Sequence, residues 1–385
     1  MSHGGGRDVG GPIRDSRYYN GVSQLRTTIY CAVLTVAIVF VNSPRAPAIL
    51  AATAQSGPVF ESRRKLTLPE DPSAPAAYDA ARAYIPLRDG KLIAVALTDG
   101  RTLWTVEAPT ALRPAIGDML LFVTGEKDIR ALNVADGHER WRIALEESAT
   151  VAPLFDTGWL FVGTANGDFV ALRASDGEVL WKRDMGASLS ALPAPSGEGI
   201  YLPLSDGRII AADLRTGEER WTRKLAGTPA EILALDDRLF VGSEDNYFYC
   251  ISLKDGGIKW RWRTGGDIVT APVVDEARVY FTSLDNVLRA LDRHNGSQRW
   301  QRPLNSRTVG GPLRSGSLIV VATLSPQLLA FQRIDGKPAG SSPDPQGDEI
   351  SNTLAAPPER VSLDGRDAFV LITRQGVIQF FGVTS

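Results

Sequence analysis

Few side chains in this sequence have the chemistry of a catalytic centre, because only three histidines and two cysteines occur among 385 residues. His3 lies near the N-terminus, and His138 and His294 lie in Asp-Gly and Asn-Gly turns far apart in the chain. A metal site or a Ser/His/Asp triad needs several groups that converge on one point. Single histidines in separate turns do not supply them, so we predict no catalytic residue and no metal ligand.

Carboxylates are more plentiful, and several stand in turns, such as Asp206, Glu244, Asp245 and Asp285. They are interpreted either as solvated turn residues or as a ring of oxygen ligands for Ca²⁺ at one mouth of the fold. The spacing of an EF-hand is absent. We therefore predict no bound cofactor, and calcium stays as the alternative.

Charge excludes another class of partner. The 42 basic and 44 acidic residues nearly cancel, whereas nucleic-acid-binding proteins usually carry a basic excess. Arg and Lys do flank tryptophans, as at Arg140, Arg142, Arg261 and Arg263, which is one pattern of a single-strand binder. Charged side chains on an outermost strand also deter edge-to-edge pairing of sheets. We favour this second interpretation, and we expect no nucleic-acid partner and a monomeric protein.

The tryptophans belong to a sequence repeat, and the structure of this repeat determines where the histidines, carboxylates and basic residues lie. Asp, Asn or Thr precedes a glycine every 37 to 40 residues, at Gly100, Gly137, Gly177, Gly217, Gly256, Gly296 and Gly336. Four residues after the glycine stand Trp104, Trp141, Trp181, Trp221, Trp260 and Trp300, and only the seventh copy differs, with Gly340. Six residues before the glycine stand Ala94, Ala131, Ala171, Ala211, Cys250, Ala290 and Ala330.

This register predicts how the copies pack. Asp-Gly and Asn-Gly favour tight hairpin turns, so the small residue and the tryptophan lie on neighbouring strands. The small residue lets another layer approach closely and the indole fills the space beside it, so that successive copies pack against one another. Cys250 therefore replaces a buried alanine, and we assign it no redox role.

Each copy of the repeat is predicted to form four short strands, the number that makes up one blade of a β-propeller. The first blade begins near Ser73, and residues 360–383 supply three strands before the chain stops. An unused strand at 59–68 follows the N-terminal segment and is predicted to complete the last blade, so that the two chain ends close the ring. We thus predict an all-β, eight-bladed propeller, with seven blades as the alternative.

The N-terminus has the layout of an export signal. Arginines precede the uncharged run from Thr27 to Pro44, and two Ala-x-Ala sites follow it. Its apolar heart, Ile29–Val41, is short for a membrane-spanning helix, which needs roughly 20 residues. We interpret 1–54 as a signal peptide or an N-terminal anchor, 55–72 as a segment with the closing strand, and 73–385 as the propeller. The propeller is expected outside the cytoplasm, in the periplasm or associated with a membrane.

The pattern Ala-x5-Gly-x3-Trp resembles the pyrroloquinoline-quinone (PQQ)-type propeller repeat, and it covers residues 73–383. The resemblance implies tryptophans docked between adjacent blades. One branch of that family comprises quinoprotein dehydrogenases with PQQ and Ca²⁺ at the propeller centre, often over a vicinal disulfide, but no adjacent cysteines occur here. The chain looks more like the BamB branch, whose members are non-catalytic lipoproteins that serve in outer-membrane β-barrel assembly. The sequence departs from that branch at Cys31, which is not preceded by a convincing lipobox, the motif at which a lipoprotein is modified.

Two functions follow from this resemblance. The first is a non-catalytic scaffold in the bacterial cell envelope that binds envelope proteins, in particular the outer-membrane barrel-assembly machinery. The alternative is a PQQ-binding quinoprotein oxidoreductase or a quinone sensor. We favour the scaffold, because the sequence offers no catalytic cluster and because a fold alone does not fix a function.

Overall fold

A computed structural model describes residues 59–324, 327–342, 354–363 and 365–383, and 32 β-strands lie within them. The predicted signal or anchor at 1–54 lies outside this described part. Over the same ranges there is no helix with the length and apolar character needed to cross a membrane.

The strands form eight antiparallel sheets of four strands each, which are the blades of a propeller. Blades 1 to 4 contain, from inner to outer strand, β2 Ala77–Tyr78, β3 Arg82–Pro86, β4 Lys91–Ala96, β5 Thr102–Glu107; β6 Ala115–Gly117, β7 Leu120–Thr124, β8 Asp128–Asn133, β9 Glu139–Ala144; β10 Leu154–Asp156, β11 Trp159–Gly163, β12 Asp168–Arg173, β13 Val179–Asp184; β14 Ala194–Ser196, β15 Gly199–Pro203, β16 Arg208–Asp213, β17 Glu219–Lys224.

Blades 5 to 7 repeat the same order, and blade 8 takes its outer strand from the other end of the chain. Their strands are β18 Pro229–Leu235, β19 Arg238–Ser243, β20 Tyr247–Ser252, β21 Ile258–Arg263; β22 Val273–Val274, β23 Arg278–Ser283, β24 Val287–Asp292, β25 Gln298–Pro303; β26 Leu313–Ser315, β27 Leu318–Ala322, β28 Leu328–Gln332, β29 Pro338–Ser341; and β30 Glu359–Leu363, β31 Arg366–Ile372, β32 Val377–Val383, β1 Phe60–Thr67.

The closing strand completes the ring as the sequence predicted. β1 pairs antiparallel with β32 from Phe60 opposite Val383 to Thr67 opposite Val377. Phe60 is fully buried and packs edge-on against Phe369 of the same blade, with ring centroids 6.1 Å apart. Eight blades and closure by the N-terminal strand are therefore confirmed, and the seven-bladed alternative is wrong.

Burial follows the position of each strand in its blade. The second and third strands lie between neighbouring blades and are apolar almost throughout, as in Leu120–Thr124, where all five residues are buried. The outer strand alternates exposed and half-buried residues, as in Glu139–Ala144. This alternation is the mark of a strand with one face on the core and one in water.

The antiparallel order also defines two faces of the ring. Turns between the third and fourth strands, which contain the repeated glycines, lie on one face, hereafter the Asp-Gly face. Each of these glycines has a positive φ, from 67° to 78°. The turns between the second and third strands, together with the connections from blade to blade, lie on the opposite face.

Candidate functional site

Each repeat tryptophan joins its own blade to the next one. The indole Nε1–H of Trp181 in β13 donates to the carbonyl oxygen of Leu214, 3.1 Å away in blade 4. Leu214 lies three residues before the turn glycine of that blade. The other five indoles make the same bond to the corresponding residue, at 2.9 to 3.2 Å: Trp104 to Val134, Trp141 to Ala174, Trp221 to Leu253, Trp260 to Arg293 and Trp300 to Arg333.

The small residue and the turn glycine make room for the indole. Six of the seven small residues lie directly across the strand pair from a tryptophan, as Ala171 does from Trp181, and the seventh, Ala330, lies opposite Gly340. All seven are buried: Ala94, Ala131, Ala171, Ala211, Cys250, Ala290 and Ala330. A Cβ on Gly217 would lie 2.7 Å from the Trp181 ring. The turn glycines of blades 2 to 7 all face the preceding tryptophan in this way: Gly137, Gly177, Gly217, Gly256, Gly296 and Gly336.

Arginine replaces tryptophan where the ring closes. Arg64 in β1 lies opposite Phe380, so the third strand of blade 8 has a large residue where the other blades have a small one. Its guanidinium donates to the carbonyl oxygen of Leu97, which lies three residues before Gly100. Leu66 covers Gly100, where a Cβ would approach the leucine to 2.3 Å. Blade 8 thus docks on blade 1 by the same carbonyl bond that the indoles make elsewhere.

Arg64→Ala should lower the free energy of unfolding by about 1–3 kcal/mol, because it removes a hydrogen bond from a charged donor to a half-buried carbonyl. Lys65→Ala, at the exposed neighbouring position of the same strand, is the control and should change the free energy by less than about 0.5 kcal/mol. Urea unfolding of both variants tests this. Equal losses would show that Arg64 does not dock the blades.

The missing seventh tryptophan has a structural reason. The turn that would accept its N–H does not exist in blade 8, because β32 and β1 are the two ends of the propeller rather than a hairpin. Gly340 stands at the tryptophan position, opposite Ala330. Val59 fills the space instead, since a Cβ on Gly340 would lie 2.9 Å from its methyl group.

The residue types that could do chemistry do not converge. His138 and His294 are exposed in blades 2 and 6, which are opposite each other in the ring. Cys250 is fully buried, and burial raises the pKa of its thiol. Within the described ranges, no group of three or more His, Cys, Asp or Glu side chains is arranged to hold a metal ion.

Three of the four acidic turn residues named from the sequence have side-chain partners in their own blade, and the fourth, Glu244, is exposed. Asp206 pairs with Arg208 at 2.6 Å, and Asp245 accepts a 2.6 Å bond from the hydroxyl of Tyr249. Asp285 pairs with Arg289 at 2.5 Å and is only 16% exposed. Burial raises the pKa of Asp285, but hydrogen bonds from Arg289, Ser283 and the Gly265 N–H outweigh it and lower the pKa to about 2.

The depressed pKa of Asp285 gives a pH-dependent contribution to stability. Its ionised form is favoured by folding, so the contribution is fully present above the unfolded pKa near 3.8 and is lost as the pH falls through about 2. Asp285→Asn should cost about 1–3 kcal/mol at pH 7, and its deficit should shrink between pH 4 and pH 2. Unfolding free energies measured across that range test this. Asp118→Asn, at an exposed turn position, is the control, and a deficit at pH 2 equal to that at pH 7 would contradict the assignment.

Ion pairs add a second set of contacts between blades on the Asp-Gly face. Arg333 of blade 7 reaches back to Asp275 of blade 6 at 3.0 Å, where the carboxylate is 1% exposed. Arg293 of blade 6 pairs with Asp236 of blade 5. Arg360 of blade 8 donates to the Arg314 carbonyl of blade 7 at 3.2 Å. Blades 5 to 8 are thereby joined by polar contacts as well as by their apolar cores.

The central channel holds charged side chains that the sequence analysis did not single out. Arg113, just before β6, crosses in front of blade 1 and pairs with Glu359 of β30 at 2.5 Å. Tyr78 of β2 lies beside this pair, and burial raises the pKa of its hydroxyl strongly. Glu231 of β18 lies within electrostatic range of both Arg113 and Glu359. We call Tyr78, Arg113, Glu231 and Glu359 the channel cluster.

Two adjoining cavities line the channel on the side of blades 1 to 5. The first, about 270 Å³, lies between β10, β14 and β18. The second, about 260 Å³, lies between β2, β6, β10 and β14. They share Leu154 and Leu192, and their walls are apolar except for groups of the channel cluster and the backbone.

Blades 6 to 8 close the other side of the channel through two glycines. A Cβ on Gly311 would lie 2.1 Å from the Ala271 carbonyl oxygen, and one on Gly310 would lie 2.5 Å from Pro357. From the sequence alone, Gly310 and Gly311 are interpreted only as turn glycines. They permit the inner strands of three blades to meet, which leaves the cavities to the opposite side.

A signal for the channel cluster is present in the sequence. In four of the eight blades the innermost segment has no charged residue before its final turn, as in TVAPLF at 150–155. Arg113, Glu231 and Glu359 are charges in the innermost segments of other blades. The signal is not specific, because Arg314 and Arg360 also lie in innermost strands and instead join blades 7 and 8.

The comparisons with known proteins agree with this architecture. A family model described as outer membrane protein assembly factor BamB matches residues 88–235 and 230–384. BamB of Yersinia pestis is 30% identical over 91 residues, and the match spans 24% of this chain and only 23% of that protein.

Solved structures extend the likeness at the level of the fold. BamB from Moraxella catarrhalis matches with a TM-score of 0.69 at 18% identity, over 84% of this chain and all of that one. The quinohemoprotein alcohol dehydrogenase ADHIIG from Pseudomonas putida also gives 0.69, at 12% identity, over 85% of this chain and 77% of that one. Because the family model covers residues 88–384, well over half of the chain, the chain belongs to the family of outer membrane protein assembly factor BamB.

Proposed function

We propose that the protein is a non-catalytic interaction scaffold of the bacterial cell envelope, and that its partners belong to the outer-membrane barrel-assembly machinery. The observation that carries the proposal is the match of both halves of the propeller to the assembly-factor family. The exported location proposed for it rests on the same match and on the signal-like segment at 1–54.

The docked blades suit such a role. Six indole bonds and one guanidinium bond join successive blades, so the turns on both faces are held on a rigid frame. Loops on a rigid frame are the usual carriers of recognition. The outer strands are poor docking edges by contrast, since charged residues alternate along them, as in Glu219–Lys224. We therefore place the partner on a turn face and expect the protein itself to be a monomer.

The quinoprotein alternative fits the channel poorly. PQQ carries three carboxylates, so its site needs cationic groups that are free to pair with them. Arg113 is already paired with Glu359, and Glu231 adds a further negative charge. The chain also contains no adjacent cysteines. We propose no quinone and no calcium as cofactors, and no dehydrogenase activity.

Affinity capture tests the proposal. The full chain, immobilised and incubated with detergent-solubilised envelope membranes, should recover barrel-assembly components, while the same chain unfolded by heat should not. Glu218→Lys on the Asp-Gly face and Glu244→Lys on the opposite face, both exposed, should differ in recovery and so identify the docking face. Equal recovery by native and unfolded chains would contradict the scaffold. Stoichiometric binding of PQQ with Ca²⁺, followed by dye-linked alcohol oxidation, would instead support the enzyme.

A further inference from the structure

Glu231 is the charged group of the channel that lacks a counter-ion. It projects from β18 and remains open to the channel solvent, although protein surrounds it on several sides. The backbone N–H of Ala271 in the next blade lies close enough to its carboxylate to lower its pKa. Within the described part of the chain, no Lys, Arg or His side chain forms an ion pair with it.

The neighbouring charges do not neutralise it. The guanidinium of Arg113 is held by Glu359 at 2.5 Å, and the Tyr78 hydroxyl contributes no charge near neutral pH because its pKa is raised. Arg113, Glu231 and Glu359 together carry a net charge of −1. The channel on this side therefore attracts a cation.

The walls next to Glu231 are apolar. Leu192, Pro193, Ile232, Leu233 and Ala234 line a cavity of about 270 Å³, and Glu231 is part of the same wall. This volume lies just below the roughly 300–1,000 Å³ of ordinary small-molecule pockets. It suits one short aliphatic chain with a charged end.

We propose that this cavity binds an aliphatic ammonium group, with the nitrogen on the Glu231 carboxylate and the carbon chain against Leu192, Ile232 and Leu233. Both a free alkylamine and a lysine side chain of a bound protein have this chemistry. PQQ, which carries three carboxylates, does not have this chemistry, and neither does any other anion. The proposed site therefore differs from the cofactor site of the dehydrogenase branch. The inference does not depend on the partner proposed above.

Protonation of Glu231 should control the binding. Burial raises the pKa of Glu231 and the charge of Glu359 raises it further, while the Ala271 N–H and Arg113 act in the opposite direction. A bound ammonium favours the ionised carboxylate. Affinity should therefore fall as the pH drops through the raised pKa, and amine binding below that pH should release a proton.

Calorimetric titration of the full chain tests the site. n-Pentylamine should bind at neutral pH, and pentan-1-ol and pentanoate should bind at least about tenfold more weakly, since one lacks the charge and the other reverses it. Glu231→Gln should weaken amine binding at least about tenfold, whereas Glu218→Gln, an exposed glutamate of blade 4, should leave it unchanged. Arg113→Gln should strengthen binding, because it removes the only cation of the cluster, and a gain of affinity cannot arise from misfolding.

The two sources of the ammonium are distinguished by a capped lysine, Nα-acetyl-lysine amide. If it displaces n-pentylamine, the proposal holds for a protein-borne side chain; if only the free amine binds, it holds for a small metabolite-sized amine. Equal binding of amine and alcohol, or equal affinities of the parent and the Glu231→Gln variant, would overturn the proposal. Failure of the envelope capture would leave these results unaffected.

Discussion

Trp181→Ala should lower the free energy of unfolding by about 3–5 kcal/mol, the range for truncation of a buried aromatic side chain. Trp181 is only 7% exposed and packs beside Phe161 and Phe169, with ring centroids 6.1 and 5.6 Å away. The substitution removes this packing and leaves the Leu214 carbonyl of the next blade without its donor. Urea or thermal unfolding of the purified chain measures the loss.

His138→Ala is the matched control, because His138 is an exposed turn residue of the neighbouring blade. We expect its free energy of unfolding to change by less than about 0.5 kcal/mol. Trp181→Phe should fall between the two, since it retains an aromatic ring but lacks the N–H. If Trp181→Ala and His138→Ala shift stability equally, the packing role of the tryptophan series is wrong.

Gly217→Ala should cost about 2–5 kcal/mol, from two causes that act together. The φ of 70° costs a residue with a Cβ roughly 1–2 kcal/mol. The new Cβ would also lie 2.7 Å from the Trp181 ring, and overpacking of this kind costs roughly 1–3 kcal/mol. Denaturant unfolding provides the measurement.

Gly197→Ala separates these two causes within the same blade. Gly197 has a similar φ of 58°, but no atom lies within 4 Å of the position its Cβ would take. It should therefore lose only the backbone part, about 1–2 kcal/mol. A loss at Gly197 as large as that at Gly217 would show that the indole does not press on the turn.

The fold was predictable because the same turn-and-tryptophan pattern recurs along the sequence. One Asp-Gly turn with a tryptophan is weak evidence, but a common register over six copies requires a common packing environment. The closing strand was predictable for a different reason, since blade 8 lacked one strand and only 59–68 was unassigned. The structure places that strand at Phe60–Thr67.

The residues that replace tryptophan where the ring closes, Arg64 and Gly340, were not predictable from the repeat. Arg64 and Trp181 are different residue types. They are equivalent only because each donates to the corresponding carbonyl oxygen of the next blade. The absence of tryptophan at Gly340 is explained only when the ring shows that blade 8 has no turn to accept it. A sequence pattern does not show which residues from the two ends of the chain come into contact.

The channel cluster escaped the sequence analysis for a similar reason. Arg113 and Glu359 are 246 positions apart, and they meet because their blades flank blade 1 in the closed ring. The inner strands are short, and the proline that precedes or begins most of them does not show which of their side chains meet in the closed ring. Charges in these strands could be noticed, but their convergence with Glu231 could not be derived without the closed ring.

Exchange of the indole N–H protons tests the central claim, that the recurring tryptophans dock each of blades 1 to 6 on the blade that follows it. The chain has eight tryptophans, and ¹⁵N-edited NMR with single Trp→Phe variants assigns each indole. Six should exchange slowly, because their Nε1–H groups are bonded to carbonyls of the following blade. Trp159 and Trp262 should exchange fast, because among the described residues neither indole N–H has an acceptor. Fast exchange of the six, or one common rate for all eight, would contradict the account.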